Sequence, residues 1–400
     1  MANNKEKLQH IRKMGKEASD KVEEILKTEI DPIYRELAGK IETNKYLPHI
    51  LSLLLPQEQA LMVYELPDQY RKESTGRLEV SEEFAKKVGL SKKVADKYIR
   101  ELYEKGLISP TRRGPQTPRN MGSFKNTAVN NPKYEKSLGH HYLELWTAFE
   151  LDEEQLANRA RRMAGAGVPR MRVVPRWRAI KDIPGILPTE DVREWIRLGK
   201  EKGPIAIYNC PCKKFSVGRT CDLHNNCCLG FEGQARYHIE RGTGREVTVK
   251  EAFDLFAEFD KYPVSHLNQN ISGDIEHGQL PVGILCQCHW DCCEVLHPVF
   301  GQDKYKVTQL IAKSRFEATV NPKECIKCGT CLRVCQWGGA QMKHYPEYDE
   351  ERAYIDIEAC MGCGSCVINC PVSARKMKLV RPQEHVPATR EGQGMELGNV

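Results

Sequence analysis

The sequence holds no apolar run that approaches the roughly 18 residues of a membrane span. Its opening, Met1-Ala2-Asn3-Asn4-Lys5-Glu6, has no apolar core of the kind a secretory signal needs, so a cytoplasmic location is the expectation. No P-loop pattern occurs. Gly165-Ala166-Gly167 lacks a third glycine at the fingerprint position and does not sit between a strand and a helix, so no dinucleotide site is expected there. With no flavin, nicotinamide or ATP motif, two-electron chemistry should belong to a partner. A net charge of +6 over 400 residues does not by itself imply nucleic acid. Hydrophobic residues at 40% and charged residues at 28% describe ordinary globular protein, and the length suggests about two to four domains.

Cysteine is what the chain has in excess, with seventeen present. In a short secreted chain they would read as disulfides; here the length, the missing signal and the C-x-x-C spacing favour metal thiolates in a reducing, anaerobic setting. Eight lie toward the C-terminus in two runs, Cys325, Cys328, Cys331, Cys335 and Cys360, Cys363, Cys366, Cys370. Each run reads C-x2-C-x2-C-x3-C, and the second repeats the first at a constant offset. The duplication matches the ligand runs of two [4Fe-4S] clusters, in which the fourth cysteine of each run serves the other cluster. Two zinc sites fit poorly, because the runs carry more thiolates than tetrahedral zinc takes.

The other nine cysteines fall between 210 and 293, as Cys210-Pro211-Cys212, Cys221, Cys227-Cys228, Cys286-Gln287-Cys288 and Cys292-Cys293. Apolar strands at 205–208 and 282–285 lead into the two halves of this field, which would bring both to one sheet end. Zinc usually takes C-x2–4-C pairs, whereas cluster ligation tolerates C-x-C and adjacent cysteines. One or two further [4Fe-4S] clusters are therefore expected, with zinc and free thiols as the competing readings. Cys210, Cys212, Cys221 and Cys228 form one expected ligand group, and Cys286, Cys288, Cys292 and Cys293 the other, with interleaving left open. Neighbours on an extended strand face opposite ways, so one member of each adjacent pair should reach a given cluster. His224 and His289 are alternative ligands, with a supporting or surface role the plainer reading.

Upstream, apolar residues at three- and four-residue intervals predict a helix over 4–30 that packs on its own protein or dimerises, so a homo-oligomer is possible. Residues 56–121 read as a winged helix-turn-helix, with Ser81 and Ser91 as caps and a basic wing at Pro110-Thr111-Arg112-Arg113-Gly114-Pro115. Lys92, Lys93, Lys97 and Arg100 would face DNA, but Asp96, Glu101 and Glu104 share their helix and would repel phosphates, which favours a docking role. A run from Arg159 to Arg178, including Arg161, Arg162, Arg170, Arg172 and Arg176, suits an acidic partner, a cofactor phosphate or nucleic acid, or else a solvated face paired to nearby carboxylates. Thr189 can cap a helix through Gly199, and Thr248 with Glu251 can form a capping box.

Two resemblances follow. The stretch CPCKKFSVGRTC…CCLGF…CQCHWDCC resembles a module in ferredoxin-like iron-sulfur proteins of anaerobic bacteria, where it lies between a winged-helix-like part and a two-cluster ferredoxin. Strand, loop and helix order around the two C-terminal runs resembles bacterial two-[4Fe-4S] ferredoxins. That resemblance implies Cys325, Cys328, Cys331 and Cys370 on cluster I and Cys360, Cys363, Cys366 and Cys335 on cluster II. The proline usual after the fourth cysteine is present as Pro371 but replaced by Gln336 in the first run.

The expected fold class is α+β multidomain. Its parts are a helical segment at 1–55, a winged helix-turn-helix at 56–122, a connector at 123–204, a cysteine-rich α/β domain at 205–300, a two-[4Fe-4S] ferredoxin domain at 301–385 and a tail at 386–400. The expected function is a single-electron relay to or from a redox partner protein or oxidoreductase subunit. A redox-responsive DNA-binding regulator is the alternative.

Overall fold

The structure, a computed structural model, describes residues 3–41, 44–67, 77–111, 114–116, 128–270 and 283–387. It mixes helix and sheet. Helix α1, Asn4–Leu26, starts from a capping box in which Asn3 and Glu6 satisfy each other's backbone N–H groups. It ends before the predicted residue 30, and Pro32 opens α2, Pro32–Ile41, where its missing N–H costs nothing. Helices α3, Leu47–Leu54, and α4, Gln57–Glu65, follow. Ser81 and Ser91 cap α5, Glu82–Lys87, and α6, Lys92–Glu104.

A short antiparallel pair, β1 at Ser109–Thr111 and β2 at Gly114–Gln116, comes next. Arg112 and Arg113 of the expected wing lie outside the described residues. On α6, Lys92 pairs with Asp96 at 2.6 Å and Lys97 with Glu101 at 3.8 Å. Helix α7, Pro132–Leu151, kinks at Gly139, where φ is +69°, and α8, Glu153–Ala164, is capped by Asp152. Helix α1 lies along α7 and buries Ile11, Met14, Ala18 and Val22 within its own chain.

The centre is a seven-stranded sheet in the order β6–β4–β5–β8–β7–β3–β9. Its strands are β3 at Met171–Val174, β4 at Ile205–Asn209, β5 at Asn226–Phe231, β6 at Gly244–Glu246, β7 at Ser265–Gln269, β8 at Ile284–Cys288 and β9 at Ile311–Ala312. Only β3 and β9 pair in parallel. Because β4 and β8 both run antiparallel to β5, their C-terminal ends meet at one edge, beside the starts of β5 and β7 and the end of β3. Val282, expected to open β8, lies outside the described residues. Val192–Lys202 is helix α9 and Val249–Phe259 is α10. Their Val192, Trp195, Ile196, Phe256 and Phe259 pack with Ile205, Ile207 and Leu229 of the sheet.

Two local expectations are corrected. Asp191, not Thr189, caps α9 by accepting from Arg193 N at 2.9 Å. Thr189 is buried two residues earlier, and its carbonyl accepts from the interior guanidinium of Arg172 at 2.8 Å. Thr248 does accept from Glu251 N, while the Glu251 side chain pairs outward with Arg245 at 2.5 Å.

The arginine run divides between inside and outside. Arg161, Arg162, Arg170 and Arg178 are exposed, whereas Arg159 pairs with Glu150, and Arg172 and Arg176 are fully buried. At the C-terminus, β10 at Phe316–Val320 pairs with β13 at Arg375–Leu379, and β11 at Ala340–Tyr345 pairs with β12 at Glu350–Ile355, both antiparallel. No helix among the described residues is long and apolar enough to cross a membrane.

Removing the Ile11 side chain from its fully buried site leaves a cavity under α1. Ile11→Ala should destabilise the chain by about 3 kcal/mol, and exposed Lys13→Ala by under about 0.5 kcal/mol. Denaturant midpoints check this, and equal midpoints would mean that α1 is not docked.

Candidate metal centres

The C-terminal runs lie between the paired strands, in loops and in the short helices Thr330–Val334 and Ser365–Ile368, which carry Cys331 and Cys366. Cys325, Cys328, Cys331 and Cys370 line one cavity, together with Val320, Ile326, Met342, Ala353 and Val372. Lys327 N and Ala353 N donate to Cys325 Sγ at 3.4 and 3.5 Å, and Ala340 N donates to Cys335 Sγ at 3.3 Å. Such N–H···S bonds stabilise a sulfur that carries negative charge. Burial raises the thiol pKa values of Cys360, Cys363 and Cys366, and the nearby Cys335 sulfur adds to each. The eight thiols are thus grouped crosswise, the fourth of each run standing with the first three of the other.

Backbone geometry enforces the loop shapes. Gly362 has φ of +72°, and a Cβ there would collide with the Phe316 carbonyl oxygen and the Ser314 hydroxyl. Arg375, buried on β13, lies beside both groups: its guanidinium lowers the thiol pKa of Cys331 and of Cys366, against the larger upward effect of burial. Cys328 is exposed, whereas Cys360 and Cys366 are buried. Cys331 is buried and Cys335 and Cys363 are half-buried, so the group with Cys328 is the more exposed of the two.

The middle field forms at the convergent edge of the sheet. Cys210 follows β4, Cys227 and Cys228 open β5, and Cys286 and Cys288 end β8. Seven thiols from both halves of the field, Cys210, Cys212, Cys228, Cys286, Cys288, Cys292 and Cys293, line a cavity of about 290 Å³. Cys288 and Cys293 sulfurs are 3.1 Å apart. The adjacent pairs behave differently. Cys227 and Cys228 both lie within 4.8 Å of Cys210, because the β4–β5 register shifts at Tyr208/Asn209. Cys292 and Cys293 sit in a turn and both line the cavity, and Cys292 also comes within 4.8 Å of Cys221 and His289.

Protons are unevenly shared in this field. Hydrogen bonds from neighbouring thiols hold Cys210 and Cys293 well below the usual thiol range and bring Cys286 down to about 6. Their partners Cys212, Cys228 and Cys288 are pushed up. Crowded buried thiolates repel one another, so a set this dense needs a cation among them to ionise fully. Lys213 is one such charge. Burial works to lower its pKa, but the sulfurs of Cys292 and Cys221 outweigh that, and Nζ lies 2.9 Å from Cys221 and 3.3 Å from Cys292. His224 turns away to Glu258 at 3.4 Å, while His289 joins Cys221 and Cys292.

A buried joint ties the two cysteine fields together. Gln336, where the first run lacks its proline, donates from Nε2 to the Cys288 carbonyl at 3.1 Å and to Ser265 Oγ at 2.6 Å. Trp337 Nε1 donates to the same Ser265 oxygen at 2.8 Å, and Lys7 Nζ donates to the Gln336 carbonyl at 2.6 Å. On the other flank, Arg176 N donates to the Cys363 carbonyl at 3.0 Å and Arg176 Nε to Ser365 Oγ at 2.9 Å. Its Nη1 pairs with Asp260 at 2.6 Å. Of these residues, sequence reasoning marked only the absent proline and the arginine run. Ser265, Ser365 and Lys213 carried no signal of their own.

The family described as a 4Fe-4S dicluster domain matches residues 324–374, a span that holds both C-terminal runs. The C-terminal region is therefore a ferredoxin-like iron-sulfur region, whose chemistry is electron transfer. No curated protein and no solved structure matches the chain.

Replacing Gln336 by leucine keeps its bulk but leaves the buried Cys288 carbonyl without that donor. Gln336→Leu should cost about 2 kcal/mol of stability with iron content unchanged. Denaturation and iron quantitation on the same sample check both parts; a neutral substitution would mean the joint is loose.

Proposed function

We propose that the chain is a single-electron relay with an outer end at Cys325, Cys328, Cys331 and Cys370, an inner ferredoxin station at Cys335, Cys360, Cys363 and Cys366, and a further station in the middle field. The observation that carries this reading is the Gln336–Cys288 hydrogen bond. It joins the residue next to a cysteine of the inner station to a cysteine of the middle cavity, giving a short bonded path between them.

The residues present suit iron-sulfur ligation. Seven thiols around one cavity exceed the four corners of a cubane, so the middle field takes at least one [4Fe-4S] cluster. Bound clusters would supply one-electron redox steps, while the chain supplies thiolates, N–H···S donors and the exclusion of water. At the outer end Cys328 is exposed, and Ile326 and Val372 are exposed apolar residues beside it, a surface suited to a redox partner protein or oxidoreductase subunit.

A DNA-bound regulator draws less support. Two of the four cations expected to meet phosphates, Lys92 and Lys97, are paired to carboxylates of their own helix.

Anaerobically prepared full-length protein should carry about twelve iron per chain or more, with matching sulfide, and show EPR signals beyond those of two clusters on reduction by a low-potential donor. Cys212→Ser combined with Cys288→Ser should remove about four iron and leave the ferredoxin signals. About eight iron in the unaltered chain would remove the middle station from the relay.

A further inference from the structure

Cys221, Cys292 and His289 form a second group beside that cavity: Cys221 and His289 lie outside its lining, and Cys292 alone of the three lines it. Their ligand atoms all lie within 4.8 Å of one another, and all three residues are buried. His289 Nδ1 meets Asp291 Oδ1 at 2.5 Å. The other carboxylate oxygen accepts from Thr220 N at 2.5 Å and Thr220 Oγ1 at 2.6 Å. Held on both oxygens, fully buried Asp291 accepts the hydrogen bond of Nδ1–H, so Nε2 carries the lone pair. A carboxylate behind a ligating histidine is the arrangement that fixes the ring and raises its basicity.

We propose that Cys221, Cys292 and His289 Nε2 bind a single zinc-class divalent cation, separate from the iron-sulfur sites. Two loops build the site in register. Thr220 precedes Cys221 on one, Asp291 precedes Cys292 on the other, and the two Thr220–Asp291 hydrogen bonds tie the loops together. Zinc bonds of about 2.3 Å to sulfur put two thiolates roughly 3.8 Å apart at a tetrahedral angle, within the observed spread.

Charge closes as well: a divalent ion balances two thiolates, and Lys213 balances Asp291. The ammonium, donating to both sulfurs, stabilises them as ligands. The second close trio, Cys210, Cys227 and Cys228, offers no nitrogen donor and includes two cavity residues, so it remains with the cluster field. Three protein donors leave the fourth tetrahedral position for water or an added ligand.

This inference does not rest on the relay, because zinc and iron are counted separately. The test is elemental analysis and zinc K-edge absorption on the anaerobically purified full chain grown with zinc. The expected result is about one zinc per chain, with two sulfurs near roughly 2.3 Å and nitrogen near roughly 2.0 Å. Cys221→Ser and His289→Ala should each lose the zinc and keep the iron, and Asp291→Asn should weaken retention against a chelator by about 10- to 100-fold. No zinc above trace, a shell of four sulfurs or of light atoms alone, or a loss of about four iron in Cys221→Ser would overturn it. The absorption measurement on the unaltered chain decides even if a substituted chain fails to fold.

Discussion

The side-chain amide of Gln336, donating to the Cys288 carbonyl and to Ser265, sits where the ferredoxin-like region meets the edge of the sheet. It depends on a topological fact: β5 lies between β4 and β8, so three strand ends carrying cysteines open on the same edge as the start of β7. Ser265 is the first residue of β7 and pairs in register with Cys288. A proline at position 336 has no side-chain donor, and the buried carbonyl would then lose this partner. The departure from the ferredoxin pattern is thus the feature that docks one cysteine field onto the other.

Buried cations support the same junction. Arg176 gives its guanidinium to Asp260, to Ser365 and to the carbonyls of Phe259, Tyr262 and Val264, so all five of its donors are satisfied. Removing it would strand Asp260, which is why a buried, fully bonded arginine acts as a fixed joint rather than a mobile charge. Lys7 reaches in from the first turns of α1 to the Gln336 carbonyl, which makes the N-terminal helix part of the joint. Arg375, between the outer and inner ferredoxin groups, places positive charge beside sulfurs of both.

The C-terminal runs were legible because a fixed spacing of four thiols within a short loop admits few ligand geometries. The helix caps at Ser81 and Ser91, the stripe of α1 and the strands leading into Cys210 and Cys286 were also readable, since each rests on local periodicity or on a single side chain meeting nearby N–H groups. The grouping of the middle thiols was not. Whether Cys212 meets Cys293, or Cys292 turns to Cys221, is set by strand order, by the shifted register at Tyr208/Asn209 and by a turn, all of which join residues far apart in sequence. The arginine run stayed open for the same reason, because composition cannot separate Arg172 and Arg176, which the fold buries, from Arg170 and Arg178, which it leaves outside. Thr189 and Asp191 show the limit at short range: both can cap, and burial of the first decides for the second.

The central claim is that the middle cavity is an iron-sulfur station continuous with the ferredoxin-like region. Anomalous diffraction at the iron edge from crystals of anaerobically prepared full-length protein tests it most directly. The account predicts iron peaks within both crosswise groups and a further peak inside the ring formed by Cys210, Cys212, Cys228, Cys286, Cys288 and Cys293. Iron confined to the region around residues 324–374, with that ring holding none, would contradict it.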